Sequence, residues 1–122
     1  MIQVGIIGSG FIGPAHIEAL RRLGGVNVVA LCDSSLAVAQ ERADALHIPQ
    51  AYGSVEALLA HPGLQVVHNC TPNHLHAEIN RQILRAGKHL FSEKPLCMTA
   101  EEARELVALA EQAKVVHGVS FV

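Results

Sequence analysis

Three glycines near the start of the chain have the spacing of a turn that binds phosphate groups. Gly8, Gly10 and Gly13 form G-x-G-x-x-G directly after the apolar run 2–7, and a helical pattern begins at once afterwards. In this context Gly8 permits a tight turn, Gly10 leaves no Cβ between the backbone and a pyrophosphate, and Gly13 allows close helix–strand packing. The free N–H groups of the helix N-terminus attract phosphate. The pattern predicts a dinucleotide site.

Asp33 is placed to select the dinucleotide. It ends the second apolar run, 26–32, about 20 residues after the last glycine, where a carboxylate accepts hydrogen bonds from the adenosine ribose hydroxyls. Ser34, Ser35 and Leu36 follow, and no Arg or Lys in the immediate vicinity would receive a 2′-phosphate. We therefore favour NAD over NADP. The alternative is that Asp33 only caps the next helix, a role that Ser34 or Ser35 could take instead.

Two polar segments follow later predicted strands. Thr71-Pro72-Asn73 comes after a strand at 65–70, and Glu93-Lys94 comes after a strand at 88–92. Ligands of open α/β sheets bind beyond the carboxyl ends of the strands, so we expect both segments to line the crevice of the glycine turn. There the ammonium of Lys94 could exchange a proton with a substrate hydroxyl. Taken singly, each segment is better explained as an ordinary turn or a surface lysine. The occurrence of the glycine turn and both segments together, in order along the chain, favours the functional interpretation.

The elements that must position these residues alternate between strand and helix. Strands are predicted at 2–7, 26–32, 51–52, 65–70, 88–92 and 115–122. This alternation predicts an α/β protein: a three-layer Rossmann fold with a doubly wound, mostly parallel six-stranded sheet and helices on both faces. In the first helix we expect Ile12, Ala15, Ala19 and Leu23 on the buried side.

Composition excludes several classes of function. The 122 residues are half hydrophobic, which favours a single folded domain, and the net charge of −2 without a basic stripe argues against a nucleic-acid partner. No apolar run reaches the roughly 20 residues that span a bilayer, and no signal peptide precedes the first strand. Cys32, Cys70 and Cys97 are scattered, as expected of reduced thiols in a cytoplasmic protein. The eight histidines lack the spacing of a metal site, so we predict none.

Three motifs together resemble a known family. The segments 8–13 (GSGFIG), 71–76 (TPNHLH) and 86–96 (AGKHLFSEKPL) look like the N-terminal domain of the glucose–fructose oxidoreductase, inositol dehydrogenase and MocA family. Members are NAD(P)-dependent oxidoreductases that act mostly on sugars, polyols and related compounds. The resemblance covers essentially the whole chain and implies an enzyme that passes hydride between a substrate carbon and the nicotinamide.

The resemblance also assigns roles to single residues. It implies that Thr71, Pro72 and Asn73 lie by the nicotinamide ribose with His76 close behind, that Glu93 binds that ribose, and that Lys94 assists proton transfer. Lys94 is thus the predicted catalytic residue. The predicted cofactor-binding residues are Gly8, Gly10, Phe11, Ile12, Gly13, Asp33, Ser34, Thr71, Pro72, Asn73, His76, Glu93 and Lys94.

Members of this family usually continue into a second domain that contacts substrate and carries the interface of a homo-oligomer. Residues 1–122 are expected to form the dinucleotide-binding domain without that substrate domain, so the isolated chain should have very low activity. Two alternatives remain open: a non-catalytic NAD-binding regulatory or interaction module, and a Rossmann domain for another nucleotide.

Overall fold

The fold is a six-stranded parallel sheet with helices on both faces, as the alternation predicts. The computed structural model describes residues 1–120. The strands are β1 (Ile2–Ile7), β2 (Val26–Cys32), β3 (Gln50–Tyr52), β4 (Val66–Asn69), β5 (His89–Glu93) and β6 (His117–Ser120). Their order is β3-β2-β1-β4-β5-β6, and all five neighbouring pairs are parallel. The order reverses between β1 and β4, where such sheets bind ligands.

Five α-helices connect the strands. They are α1 (Gly13–Leu23), α2 (Leu36–Leu46), α3 (Val55–Leu59), α4 (His76–Arg85) and α5 (Ala100–Ala113), and one turn of 3₁₀ helix (Asn73–Leu75) precedes α4. Side chains at the N-caps of three helices accept backbone N–H groups: Ser35 before α2, Ser54 before α3, and Thr99 in a capping box with Glu102 before α5. The N-terminus of α1 has no such side-chain cap.

Two apolar clusters hold the layers together. On one face of the sheet, Ile83 of α4 and Leu106 of α5 pack with strand residues such as Val67 and Leu90. On the other face, residues of α1 pack with β1 and β2; this cluster includes Val4, Ile6, Ile17, Leu20, Val28, Leu31, Ala43 and Ile48. Burying each such side chain contributes roughly 1.5–3 kcal/mol. This burial favours the strand order in which the helices cover the apolar faces of the strands.

The prediction for the buried side of α1 is wrong. The buried residues are Gly13, His16, Ile17 and Leu20. Ala15, Ala19 and Leu23 are exposed, and Leu23 has 73% of its surface accessible. The helix is apolar on two sides: one packs on β1 and β2, and the other lines an open groove beside Val66 and Phe91.

The first two strands have the predicted bounds, and the later strands differ from the predictions by one or two residues at most ends. The third strand is 50–52 rather than 51–52, the fourth is 66–69 rather than 65–70, and the fifth is 89–93 rather than 88–92. The last strand spans 117–120 within the described residues, and positions 121 and 122 of the predicted strand lie outside them.

Candidate dinucleotide site

The glycine turn is built by close backbone contacts. Gly8 has φ +92°, and a Cβ there would lie 2.8 Å from the carbonyl carbon and oxygen of Cys70. A Cβ on Gly13 would lie 2.4 Å from the carbonyl oxygen of Gly8, whereas a Cβ on Gly10 would meet no atom within 4 Å. Gly8 and Gly13 are therefore required by the fold itself. Gly10 faces open space, which leaves room for a ligand at the backbone.

A crevice of about 710 Å³ lies against this turn, a size typical of small-molecule sites. Its lining is Gly8, Ser9, Gly10, Phe11, Ile12, Asp33, Val38, Arg42, Cys70, Thr71 and Pro72. The N-terminus of α1 carries Pro14 in its first turn, with no acidic residue and no side-chain cap. Free N–H groups and the positive end of the helix dipole suit a phosphate there. Backbone, space and charge thus fit the pyrophosphate of a dinucleotide.

Asp33 is held rigidly at the crevice. Its Oδ2 accepts hydrogen bonds from the Ser9 N–H, at 3.1 Å, and from the Ser9 hydroxyl, and its Oδ1 accepts from the Ser34 N–H at 2.7 Å. Burial raises the pKa of Asp33, but these hydrogen bonds outweigh it and hold the pKa below its ordinary value. Ser35, not Asp33, caps α2. The alternative that Asp33 serves only as a helix cap is therefore wrong.

Arg42 is a crevice residue that the sequence reasoning missed. It lies on α2, nine positions beyond Asp33, and its Nη2 donates a 2.8 Å hydrogen bond to the carbonyl oxygen of Ser9. Its charge also lowers the pKa of Asp33. A search restricted to the residues directly after Asp33 could not find it, because the helix brings a residue from its second turn back to the glycine turn. We call Gly8, Ser9, Gly10, Asp33 and Arg42 the turn wall.

The opposite wall rests on buried side chains behind Thr71. The Thr71 hydroxyl donates to Asn69 Oδ1 at 2.6 Å, and Asn69 Nδ2 donates to Asn80 Oδ1 at 2.8 Å. Asn80 Nδ2 in turn donates to the Ser92 hydroxyl at 3.1 Å and to the Leu96 carbonyl oxygen at 3.0 Å. Asn69, Asn80 and Ser92 are fully buried. This chain of hydrogen bonds ties the loop after β4 to β5 and the loop after it.

His76 makes a second connection between the same two loops. It is fully buried, and its ring nitrogens lie 2.6 Å from the carbonyl oxygens of Thr71 and Pro95. Carbonyl oxygens only accept, so a neutral ring donates to one of them and an imidazolium donates to both. We call Asn69, Cys70, Thr71, Pro72, His76 and Asn80 the loop wall.

Sequence reasoning selected Thr71, Pro72 and His76 but not the buried amides. Asn80 lies on the buried side of α4 between two isoleucines, and Asn69 lies in the strand run before Thr71. A polar residue at an apolar position of a helix and another in a buried strand are the available signal, since buried amides need partners. That signal shows that partners exist but does not identify them.

The structure joins α1 to β4 and β5 through two histidines that are 52 positions apart in sequence. His16 Nδ1 lies 2.9 Å from His68 Nδ1, and His16 Nε2 lies 2.7 Å from Glu93 Oε1. Burial, with a smaller effect of the His16 charge, lowers the pKa of His68 to about 4. Burial raises the pKa of Glu93, but the hydrogen bond and charge of His16 outweigh it and lower that pKa. His16 therefore lies between a neutral His68 and an ionised Glu93.

The remaining predicted residues lie around these walls. Phe11 is almost fully exposed, Ile12 is half-buried, and Asn73 is exposed at the start of the 3₁₀ turn. Glu93 and the exposed Lys94 line the open groove beside α1, which shares Ile12 with the crevice. The predicted single crevice is thus two adjoining concavities. The assigned roles of these residues in cofactor binding and proton transfer stay predictions.

The thiols near the crevice are not reactive. Burial, aided by the charges of Asp33 and Glu56, raises the pKa of Cys32 to about 11. Burial and the charge of Glu93 raise the pKa of Cys70 to about 12. Both are small apolar packing groups at neutral pH. Within residues 1–120, no three His, Cys, Asp or Glu side chains are grouped as metal ligands, and no helix is long and apolar enough to cross a membrane.

Known proteins share both the sequence and the geometry of this domain. The 1,5-anhydro-D-fructose reductase of Ensifer adhaerens is 37% identical over 98% of this chain and 36% of its own length. The D-xylose 1-dehydrogenase (NADP(+)) 2 of Haloferax volcanii is 37% identical over 93% of this chain and 35% of its own. The inositol 2-dehydrogenase of Rhizobium meliloti is 31% identical over 98% and 36%.

Solved structures superpose closely. An NAD binding oxidoreductase from Klebsiella pneumoniae has a TM-score of 0.94 and 36% identity, and the match covers 98% of this chain and 34% of that one. GenD2 from gentamicin A biosynthesis, solved in complex with NAD, has a TM-score of 0.91 and 28% identity over 98% and 34%. The chain therefore spans about a third of the length of these relatives.

A family model described as "Oxidoreductase family, NAD-binding Rossmann fold" matches residues 2–121, which is nearly the entire chain. This match agrees with the glycine turn, the sheet order and the carboxylate after β2 described above. The chain belongs to the glucose–fructose oxidoreductase, inositol dehydrogenase and MocA family and is an NAD(P)-binding Rossmann domain.

Proposed function

We propose that this domain holds NAD, in preference to NADP, for an oxidoreductase that acts on the hydroxyl groups of sugars or polyols. The adenosine ribose hydroxyls would donate to Asp33, whose anionic carboxylate is fixed by Ser9 and Ser34. A ribose 2′-phosphate would meet that negative charge at short range. Asp33 is the single observation that carries the preference for NAD.

The glycine turn would receive the pyrophosphate. Gly10 leaves space beside the backbone, and the uncapped N-terminus of α1 supplies N–H groups and partial positive charge. The dinucleotide would then cross from the turn wall to the loop wall, where Thr71 and Pro72 line the crevice. When bound, the nicotinamide supplies a carbon that accepts or gives hydride.

Lys94 would move the proton that accompanies hydride transfer. Its backbone N–H lies 3.3 Å from Glu93 Oε2, and its side chain is exposed in the groove beside the crevice. The ammonium would contact the substrate oxygen while a hydroxyl is oxidised to a carbonyl, or while a carbonyl is reduced to a hydroxyl. Asn73, His76 and Glu93 would support the nicotinamide ribose from the loops after β4 and β5. Lys94 is thus the proposed catalytic residue.

The relatives support the wider assignment. They are named for reactions on anhydrofructose, xylose and inositol, and each is about three times as long as this chain. We propose that binding of the small sugar or polyol also needs a polypeptide segment equivalent to the rest of those relatives. Residues 1–122 alone would then have very low activity. Three free cysteines support a cytoplasmic location, and the net charge of −2 argues against a nucleic-acid partner.

Calorimetric titration with NAD and, separately, NADP tests this proposal. The chain should bind NAD more tightly than NADP. Asp33→Ala should lower the ratio of NAD to NADP affinity at least tenfold, because the ribose hydroxyls lose their acceptor. Asp44→Ala is the matched control, since among residues 1–120 the Asp44 side chain bonds only Gln40, on the exposed side of α2, and it lies outside the crevice. If the folded chain bound neither cofactor, the proposal would be wrong.

A further inference from the structure

Arg42 is half-buried on α2 and reaches the crevice through one hydrogen bond to the Ser9 carbonyl oxygen. A guanidinium has five N–H donors in a planar fork. Within residues 1–120, that bond is the one made by the Arg42 side chain. Donors therefore remain for a ligand that lies between α2 and the glycine turn.

The crevice pairs this cation with one anion. Of the residues that line it, Asp33 and Arg42 are the two that carry charge, so the lining is neutral as a whole. The carboxylate of Asp33 accepts from three donors of Ser9 and Ser34, which leaves about one of its roughly four acceptor sites open. Arg42 makes no direct salt bridge with it; the two charges sit on either side of Ser9.

This arrangement matters at the ribose 2′ position. A 2′-phosphate adds close to two negative charges, which Asp33 alone would repel. A guanidinium at the same side of the crevice attracts phosphate through charge-assisted, often bidentate hydrogen bonds. Because NAD has a neutral hydroxyl at this position, the guanidinium would contribute little to NAD binding.

We propose that Arg42 is a specificity-determining residue that lets this crevice accept NADP as well as NAD. The inference rests on the proposed function, since it assumes that the adenosine ribose lies at Asp33. Asp33 favours NAD over NADP, and Arg42 reduces that difference in affinity. Asp33 would repel a 2′-phosphate in this crevice, and Arg42 would attract it.

The test is the ratio of NAD to NADP affinity in the wild type, Arg42→Gln and Arg42→Lys, measured by calorimetry at low and moderate salt. Arg42→Gln should weaken NADP binding at least tenfold more than it weakens NAD binding, and Arg42→Lys should retain part of the NADP affinity. The loss should shrink at higher salt, since screening weakens the contact with phosphate. Arg22→Gln, on the exposed surface of α1, is the control and should leave the ratio unchanged.

A ratio within one variant is insensitive to a change in the folded fraction, so misfolding cannot imitate the result. An equal loss of NAD and NADP affinity in Arg42→Gln would show that the guanidinium only holds the Ser9 carbonyl, and the inference would fail. An unchanged ratio would also overturn it. If the wild type bound neither cofactor, the proposed function itself would fail; if it bound NAD and the ratio did not respond to Arg42, only this inference would.

Discussion

The turn wall and the loop wall face the same crevice but are built by different means. The turn wall depends on backbone approaches that only glycine permits, with Gly13 against the carbonyl of Gly8 and Gly8 against Cys70. The loop wall depends on buried side chains, with Asn69 and Asn80 bonded to each other behind Thr71. The first kind of construction leaves a short motif in the sequence. The second leaves single polar residues whose partners lie elsewhere in the chain.

The largest predicted effect distinguishes Gly13, which the fold requires, from Gly10, which faces open space. Gly13→Ala places a methyl group 2.4 Å from the Gly8 carbonyl oxygen, so we expect a loss of roughly 3 kcal/mol or more in the free energy of unfolding. Gly10→Ala should change stability by less than about 0.5 kcal/mol, because its Cβ meets no protein atom. It should still weaken NAD binding more than tenfold.

Chemical denaturation and calorimetry on the two variants measure both effects. If Gly13→Ala were as stable as the wild type, the turn wall would not depend on backbone contact as described. If Gly10→Ala bound NAD normally, the pyrophosphate would not pass over that glycine.

A pH effect should test His16 and His68, the histidines that join α1 to β4. His68 has a folded-state pKa of about 4 against an ordinary 6.5. Between these values the unfolded chain binds the extra proton, so stability is complete above pH 6.5 and falls as the pH is lowered. The full loss is roughly 3 kcal/mol, and most of it should be reached by pH 4.5. Carboxyl groups with a lowered pKa, among them Asp33 and Glu93, add to the loss as the pH falls through the ordinary carboxyl pKa of about 4.

Denaturation midpoints between pH 7 and pH 4.5 check this expectation. His68→Gln keeps a polar partner for His16 but does not titrate, so its stability should vary less with pH than that of the wild type. Identical pH profiles for the two proteins would mean that His68 does not stay neutral in the fold.

A smaller effect should come from the loop wall. Asn80→Leu removes the partner of Asn69 and the donor to Ser92 and Leu96, which leaves buried polar groups unpaired. We expect a loss of about 2 kcal/mol in the free energy of unfolding. Gln40→Leu, an exposed amide on α2, is the matched control and should change stability by less than about 0.5 kcal/mol. Similar values for the two variants would contradict the buried network.

The smallest effect should come from a charge pair outside both walls. Glu18 and Arg22 lie on the exposed side of α1 at 2.8 Å, with side chains 67% and 79% accessible. Glu18→Gln should lower the melting temperature by less than about 1 °C, since exposed pairs of this kind contribute little. A larger change would mean that the outer surface of α1 carries part of the stability assigned here to the walls.

The fold was predictable because each of its units has a local signal. Apolar runs predict the strands to within one or two residues, and Ser54 and Thr99 cap the helices that begin directly after them. The side of α1 that packs on the sheet was not predictable, since the helix is apolar on two sides and only the position of β1 and β2 decides which one is buried.

The candidate site also has a part that could be predicted from the sequence and a part that could not. Gly8, Gly10, Gly13 and Asp33 follow from motif and spacing. In the structure Gly8, Gly10 and Asp33 line one crevice, and Gly13 packs against Gly8. Arg42 and the amides of the loop wall act through contacts between elements. His16 and His68 are a further case, because nothing near either residue indicates that their rings meet. Such contacts depend on strand order and register, which a single sequence does not display.

The strand order also has a consequence for how the domain folds. Ser9 and Asp33 are 24 residues apart, whereas the hydrogen bond from Gln3 to Gln65, which accompanies the pairing of β1 with β4, joins residues 62 apart. Closing the longer loop costs about 1 kcal/mol more entropy, which favours early formation of the β1–α1–β2 unit. A refolding chain therefore has a turn wall before it has a crevice. Recovery of cofactor binding should report the later docking of β4, not the first collapse.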